Sequence, residues 1–327
     1  MLVLGLETSC DETSVAVINN GKIIANKIYT QEVHSQYGGV VPEIASRAHI
    51  RKIDRLCAAV LTEYNFTCRD LDLCAVTDSP GLAGALLVGI SFALGLHCST
   101  KIPLIGVNHL EGHIASVMLE HPQLSFPFLA LVVSGGHTAI YQVEDFGMYR
   151  CLGKTIDDAA GEAFDKIGKL LGLPYPAGRD IENLALLHTT KETIDFPVAR
   201  LSTKGFDFSF SGLKTAVKYF LADHDSQFIE QNKPLICFSF QRAAVDSLVK
   251  NICAASEQTG IRRIALVGGV ACNRSLRRTL KSIFGDTVFF PSPSLCTDNA
   301  AMIAKAGYEN FSRGTQRFPV MSPSGSL

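Results

Sequence analysis

The feature that most constrains this chain is a pattern that occurs twice. Residues 2–6 read as an apolar strand, Glu7-Thr8-Ser9-Cys10-Asp11-Glu12-Thr13 as a polar loop, residues 14–18 as a second strand, Asn19-Asn20-Gly21 as a turn and residues 22–28 as a third strand. Asn-Gly between apolar runs is a hairpin signal, because both residues tolerate positive φ. The same grammar returns with strands at 128–133, 138–143 and 149–152, joined by the loop Ser134-Gly135-Gly136-His137 and a turn at 144–147. A supersecondary unit repeated within 327 residues predicts an α/β chain of two related lobes facing each other, each offering its first hairpin loop to a shared cleft.

Between the two meanders the pattern predicts a helix at 46–64, a strand at 73–77 and a buried helix opened by Pro80-Gly81-Leu82-Ala83-Gly84 and running to about residue 97. The two glycines there suit either an anion on free backbone N–H groups or close packing of a small-residue helix on a sheet. A strand at 104–107 then runs into a helix ended by Pro122. A mostly helical insertion follows from about 156 to 260, with helices at 159–171, 181–188, 211–221 and 241–259. Next come a buried strand at 263–267, the run Gly268-Gly269-Val270-Ala271-Cys272-Asn273, a basic helix at 274–283 and a strand at 287–290. Asp298-Asn299 starts the last helix, and residues 315–327 read as frayed. The first lobe is thus expected to take 1–122 plus about 298–316, and the second 123–297.

Composition narrows the functional classes. At 47% hydrophobic with a formal net charge of −1, the chain has material for a large core and no bulk affinity for polyanions, which leaves only local basic patches. Ten cysteines contain no CxxC pair, and Cys10, Cys74 and Cys237 sit in or beside apolar runs, as reduced thiols do. The longest apolar run, residues 83–98, holds three glycines and is short for a bilayer. Met1-Leu2-Val3-Leu4 leads into a strand rather than a signal peptide, so a cytoplasmic protein is expected.

The chemistry concentrates in Asn108-His109-Leu110-Glu111-Gly112-His113. Asn108 reads as an N-cap, and Glu111 three residues on resembles a capping box, so helical phasing places His109 and His113 on one face about a turn apart. That spacing allows two imidazoles to chelate one metal ion, or one to cap and one to pack. A zinc peptidase of the HExxH type carries its general base directly after the first histidine. Glu111 stands two residues on, roughly 200° around the helix, and cannot reach a metal-bound water.

Other candidates gain value jointly. Asp298 heads a helix, where a carboxylate caps free N–H groups; with two imidazoles it would complete a metal site with open positions. Asp11 and Glu12 suit positioning or general-base work, Asp11 being the candidate catalytic base. The Ser134-Gly135-Gly136-His137 loop suits phosphate, and Gly268-Gly269 with Asn273 suits a base or ribose. Arg47, Arg51 and Arg55 recur every four residues on one helix face, either tracking a phosphate backbone or simply solvated.

The sum resembles a known family. Glu7-Thr8-Ser9-Cys10-Asp11-Glu12-Thr13, Tyr37-Gly38-Gly39-Val40-Val41-Pro42-Glu43-Ile44-Ala45-Ser46-Arg47, His109-Leu110-Glu111-Gly112-His113, Val133-Ser134-Gly135-Gly136-His137-Thr138, Asp157-Asp158-Ala159-Ala160-Gly161-Glu162-Ala163-Phe164-Asp165-Lys166, Phe208-Ser209-Phe210-Ser211-Gly212-Leu213-Lys214-Thr215, Gly268-Gly269-Val270-Ala271-Cys272-Asn273 and Cys296-Thr297-Asp298-Asn299-Ala300-Ala301 follow the order of the bacterial tRNA threonylcarbamoyladenosine transferases. The resemblance implies a two-lobed, duplicated actin, sugar-kinase and heat-shock-chaperone type ATPase fold. It implies transfer of a threonylcarbamoyl group from threonylcarbamoyl-adenylate to N6 of adenosine 37 in tRNAs reading codons that begin with A. It further implies one divalent metal ion per subunit, iron or zinc, on His109, His113 and Asp298, and an adenylate on Val132, Val133, Ser134, Gly135, Gly136, Asp165, Gly178 and Asn273. Implied partners are tRNA, a smaller paralogous scaffold subunit and a small ATPase subunit. The chain departs from the family pattern at Pro176-Ala177-Gly178-Arg179, where Pro-Gly-Gly-Pro is usual, and at Ser79-Pro80-Gly81, where Gly-Pro-Gly is usual. A kinase of the same fold would place Asp where Glu7 stands and needs no histidine pair. A non-catalytic scaffold would lack His109, His113 and Asp298 together.

Overall fold

The computed structural model describes residues 1–198, 205–315, 317–324 and 327. Its chain divides into two compact units, one of Met1–Ser125, Asp145–Met148 and Pro291–Leu327, the other of Phe126–Glu144 and Tyr149–Phe290.

The first unit begins with β1 (Leu2–Glu7), β2 (Glu12–Asn19) and β3 (Lys22–Thr30), an antiparallel meander. Then follow α1 (Pro42–Glu63), β4 (Leu73–Ser79), α2 (Ala83–Thr100), β5 (Leu104–Asn108) and α3 (His109–Glu120). The sheet order is β3-β2-β1-β4-β5, with β4 parallel to both β1 and β5. Every residue of β1 is buried, because both faces of the sheet are covered. Leu2, Leu4 and Leu6 join Cys57, Val60 and Leu61 of α1 and Leu86 and Ile90 of α2 in one apolar cluster. Each fully buried leucine contributes about 1.5–3 kcal/mol.

The second unit repeats this plan. β6 (Phe128–Val133), β7 (Thr138–Asp145) and β8 (Met148–Lys154) lead into α4 (Ala160–Leu170), α5 (Gly178–Leu187), α6 (Ser211–Ala222) and α7 (Ser226–Thr259). β9 (Ile264–Val267), α8 (Arg274–Phe284) and β10 (Val288–Phe289) complete it. The order β10-β9-β6-β7-β8 is that of the first sheet, with β6 in the place of β1 and β9 in that of β4. The chain then returns to the first unit as α9 (Pro293–Cys296) and α10 (Ala300–Ser312).

Several boundaries differ from the sequence reading. α1 starts four residues before 46, with Pro42 in its first turn, where a missing N–H is harmless. α7 starts at Ser226 rather than near 241, because Asp225 caps it by accepting from Phe228 N and the helix carries Pro234 inside. Part of the expected helical insertion, residues 199–204, lies outside the described residues. α2 runs to Thr100 and is by length and composition long and apolar enough to cross a membrane; Ala85, Leu86, Gly89, Ile90 and Ala93 form its buried face in the first unit. The glycine-rich start of α2 binds the protein's own backbone, Gly81 N donating to Pro323 O and Leu82 N to Ser9 O.

The C-terminal stretch is not frayed, although 316, 325 and 326 lie outside the described residues. Gly106 N donates to Arg317 O at 2.8 Å, and Ser322 N to Asp78 O at 2.9 Å. Asp78, fully buried at the end of β4, accepts from an Arg317 guanidinium N–H at 2.7 Å and from Val320 N at 3.2 Å. The anchor is a charge inside β4, which no local sequence signal advertises.

Candidate metal centre and nucleotide-binding loops

The first unit assembles its site from three places distant in sequence: the end of β1, the start of α3 and the residue before the cap of α10. Asn108 caps α3, its Oδ1 accepting from Leu110 N at 2.9 Å and from Glu111 N at 3.4 Å, so the first turn is fixed where His109 begins. Gly112 lets α10 approach: a Cβ there would lie 2.7 Å from Ile303 Cδ1. Glu111 points to that helix, its Oε2 accepting from Asn310 Nδ2 at 3.0 Å. Asp298 does not cap α10 as its sequence position suggests. Asn299 is the cap, accepting from Met302 N at 3.1 Å.

Asp298 is therefore free to face the histidines. Its Oδ1 lies 3.4 Å from His109 Nε2 and 3.2 Å from His113 Nε2, and the two imidazole rings are 4.6 Å apart. One ligand atom from each of the three residues lies within 4.8 Å of the others. On the opposite edge of the His109 ring, Nδ1 meets Glu7 Oε2 at 3.0 Å and Ser9 Oγ at 3.2 Å.

The electrostatics call for a cation. Burial opposes charge on His109, yet the Asp298 and Glu7 carboxylates hold its pKa well above that of a free imidazole. Burial also pushes Asp298 and Glu7 upward, but His109 overcomes this and keeps both below the usual carboxylate range. His113, fully buried, is pushed down by desolvation, and neither of its ring nitrogens makes a hydrogen bond among the described residues. A buried imidazole without hydrogen bonds, aimed at a carboxylate beside a second imidazole, fits a divalent metal ion.

The candidate base Asp11 lies in the loop that follows Glu7. Three consecutive carbonyls of this loop are held, Ser9 O by Leu82 N at 2.8 Å, Cys10 O by His49 Nε2 at 2.9 Å and Asp11 O by Gln31 N at 3.2 Å. Its neighbour Glu12 is pushed well above the carboxylate range by burial, then by the charges of Asp298 and Asp11. Sequence reasoning singled out Asp11 and Glu12 here and passed over Glu7. The available signal was an acid closing an otherwise apolar strand.

The other expected residues lie in the second unit: Val132 to Gly136 and Asn273 at or after the carboxyl ends of β6 and β9, which are parallel neighbours, and Asp165 and Gly178 in α4 and at the start of α5. Val132 and Val133 end β6 in the core. Ser134 follows, its Oγ accepting from His137 N at 3.1 Å, while Gly135 and Gly136 are exposed with open space where a Cβ would stand. Gly161 N of α4 donates to Ser134 O at 3.2 Å. Gly268, at φ +94, lies against Val133, where a Cβ would come within 2.8 Å of the carbonyl carbon. Asp165 Oδ1 accepts from Ala177 N at 2.8 Å, which seats Gly178 at the start of α5 and leaves Arg179 exposed.

Asn273 is already engaged. Its Oδ1 caps α8 by accepting from Leu276 N at 2.9 Å, and its Nδ2 donates to Gln241 Oε1 at 2.7 Å. One amide hydrogen remains for a ligand.

The family model described as "TsaD: tRNA N6-adenosine threonylcarbamoyltransferase" matches residues 22–305. The chain is 47% identical to the tRNA N6-adenosine threonylcarbamoyltransferase of Pelobacter propionicus over 319 residues, 96% of this chain and 93% of that protein. It is 49% identical to that of a Geobacter species over 312 residues, 94% of this chain and 90% of that protein. Among solved structures, HypF of T. kodakarensis superposes with a TM-score of 0.65 at 15% identity, covering 96% of this chain and 48% of that one. The activator of the 2-hydroxyisocaproyl-CoA dehydratase from Clostridium difficile gives 0.55 at 12% identity, covering 96% and 97%. These likenesses and the duplicated sheets show the actin, sugar-kinase and heat-shock-chaperone type ATPase fold.

Proposed function

Since the chain belongs to the TsaD family of tRNA N6-adenosine threonylcarbamoyltransferases, we propose that its donor is threonylcarbamoyl-adenylate, its acceptor N6 of adenosine 37 in tRNAs reading codons that begin with A, and its metal site His109, His113 and Asp298. The observation that carries the metal assignment is His113, whose buried ring nitrogens have no hydrogen bond although Nε2 faces Asp298 Oδ1 at 3.2 Å.

When bound there, iron or zinc supplies a Lewis acid for the carbamoyl carbonyl. The adenine amine forms the new bond to the carbamoyl carbon, the bond from that carbon to the adenylate oxygen breaks, and AMP leaves with its electron pair. Asp11 takes the proton lost by the amine. Within the second unit, Val132, Val133, Ser134, Gly135, Gly136, Asp165, Gly178 and Asn273 hold the adenylate, exposed glycines letting backbone N–H groups approach phosphate. tRNA, a smaller paralogous scaffold and a small ATPase are its partners.

A reconstituted transfer assay with labelled threonine, the adenylate-forming enzyme and these partners tests the reading. His109→Ala, His113→Ala and Asp298→Ala are each expected to lose metal by elemental analysis and to lose transfer, with the fold intact. Full metal occupancy in the double histidine variant would overturn the site.

A further inference from the structure

Glu7 is a buried carboxylate with every contact spoken for. It is fully inaccessible at the end of β1, and its Oε1 accepts from Ser9 N. Its Oε2 accepts from Thr77 Oγ1 at 2.6 Å and faces His109 Nδ1 at 3.0 Å. An ionised carboxylate only accepts, so the ring nitrogen facing it carries the proton. The Ser9 hydroxyl, farther off at 3.2 Å, can turn either way and follows that choice.

We propose that Glu7 is the positioning residue of the metal centre: by holding a proton on His109 Nδ1 it leaves Nε2, which faces Asp298 and His113, as the nitrogen that gives up its proton to the metal. This rests on the metal assignment above and goes beyond it, since it says which nitrogen binds and what enforces the choice. The geometry is consistent along the line Thr77, Glu7, His109 and Asp298, where Nε2 is the nitrogen 3.4 Å from Asp298 Oδ1. A ligating histidine that donates its other N–H to a carboxylate is a better-oriented and more basic ligand. Glu7 touches no reacting atom, so it acts only through His109.

The position tolerates no amide. In Glu7→Gln, an NH2 group must face either Ser9 N–H, a clash of two donors, or His109, which would push the ring proton to Nε2 and block the metal.

The test measures Zn2+ affinity by chelator competition in the intact protein, the Co2+ visible spectrum, and imidazole 15N shifts of the Zn2+-loaded protein. Wild type is expected to bind Zn2+ through His109 Nε2 with Nδ1–H retained. E7Q is expected to bind about 10- to 100-fold more weakly, with an altered Co2+ spectrum. If E7Q does not fold, Thr77→Val, which removes only a donor to Glu7, is expected to weaken Zn2+ several-fold in a folded protein. Ligation through His109 Nδ1, or wild-type Zn2+ affinity in folded E7Q or T77V, overturns the role of Glu7 and leaves the metal site standing. Absence of Zn2+ binding in wild type overturns both.

Discussion

His49 Nε2 lies 2.9 Å from the Cys10 carbonyl oxygen, and its Nδ1 lies 2.8 Å from Thr13 Oγ1. A carbonyl only accepts, so Nε2 carries the proton and Nδ1 accepts from the hydroxyl. Burial lowers the pKa of His49 and keeps this neutral form. The side chain thereby spans both ends of the segment that carries Asp11 and Glu12.

His49→Phe keeps a ring of similar size and removes both bonds. A part-buried carbonyl and a buried hydroxyl lose their partner, the hydroxyl at about 1–3 kcal/mol and the carbonyl at less. The expected result is a lower melting temperature by calorimetry and a transfer rate reduced by about tenfold, with metal content unchanged. Wild-type turnover would show that the loop does not depend on this anchor.

The Asn273 contacts allow capping and ligand binding to be separated. Asn273→Asp keeps the oxygen that accepts from Leu276 N, and the Gln241 amide can turn over to donate to the new carboxylate. This variant is expected to melt near wild type while binding AMP about tenfold more weakly by calorimetry, through loss of the Nδ2 donor. Asn273→Ala is expected to lose AMP affinity and also about 1 kcal/mol of stability with the cap. Unchanged AMP binding in both places the nucleotide away from Asn273.

The duplication was legible because short apolar runs separated by polar or glycine-containing loops and turns are local signals, and the strand order in both sheets repeats accordingly. The histidine pair was legible for the same reason: Asn108 and the i, i+4 spacing lie within one turn of helix. What joins His109 to Glu7 across 102 positions, or Arg317 to Asp78, is tertiary, and no local pattern in either partner names the other. Asp157 and Asp158 show the converse. They stand in the same motif as Asp165, the expected adenylate ligand, yet Asp157 accepts from Phe210 N at 2.8 Å and Asp158 pairs with Lys166 and Lys214, tying α6 to the start of α4.

That joint makes a pH prediction. Burial would raise the pKa of Asp158, but hydrogen bonds from Lys166 and Lys214 hold it below its ordinary value of 3.8. A depressed acid contributes stability that is present above the unfolded value and lost as pH falls through the folded one. Wild type is therefore expected to lose stability on acidification below about pH 4 more steeply than Asp158→Asn, which is the less stable of the two at neutral pH. Parallel denaturation curves for the two proteins across that window would remove Asp158 from the account.

Arg47, Arg51 and Arg55 all lie exposed on α1, and only Arg47 has an ion pair among the described residues, to Glu43 at 2.7 Å. A chain of net charge −1 that handles tRNA needs its positive charge concentrated, and this stripe is spaced at i, i+4 and i+8. Each arginine that neutralises one phosphate contributes about one unit to the slope of log affinity against log salt. Arg51→Ala is expected to lower tRNA affinity and reduce that slope by about one unit, and the triple variant by about three, with metal content untouched. Arg47 gives up its bond to Glu43 to reach a phosphate, so its single variant should show the smallest effect. Titration of the proposed scaffold partner without tRNA separates partner binding from nucleic-acid binding. A triple variant that matches wild type in both affinity and salt dependence would leave the stripe a solvated face.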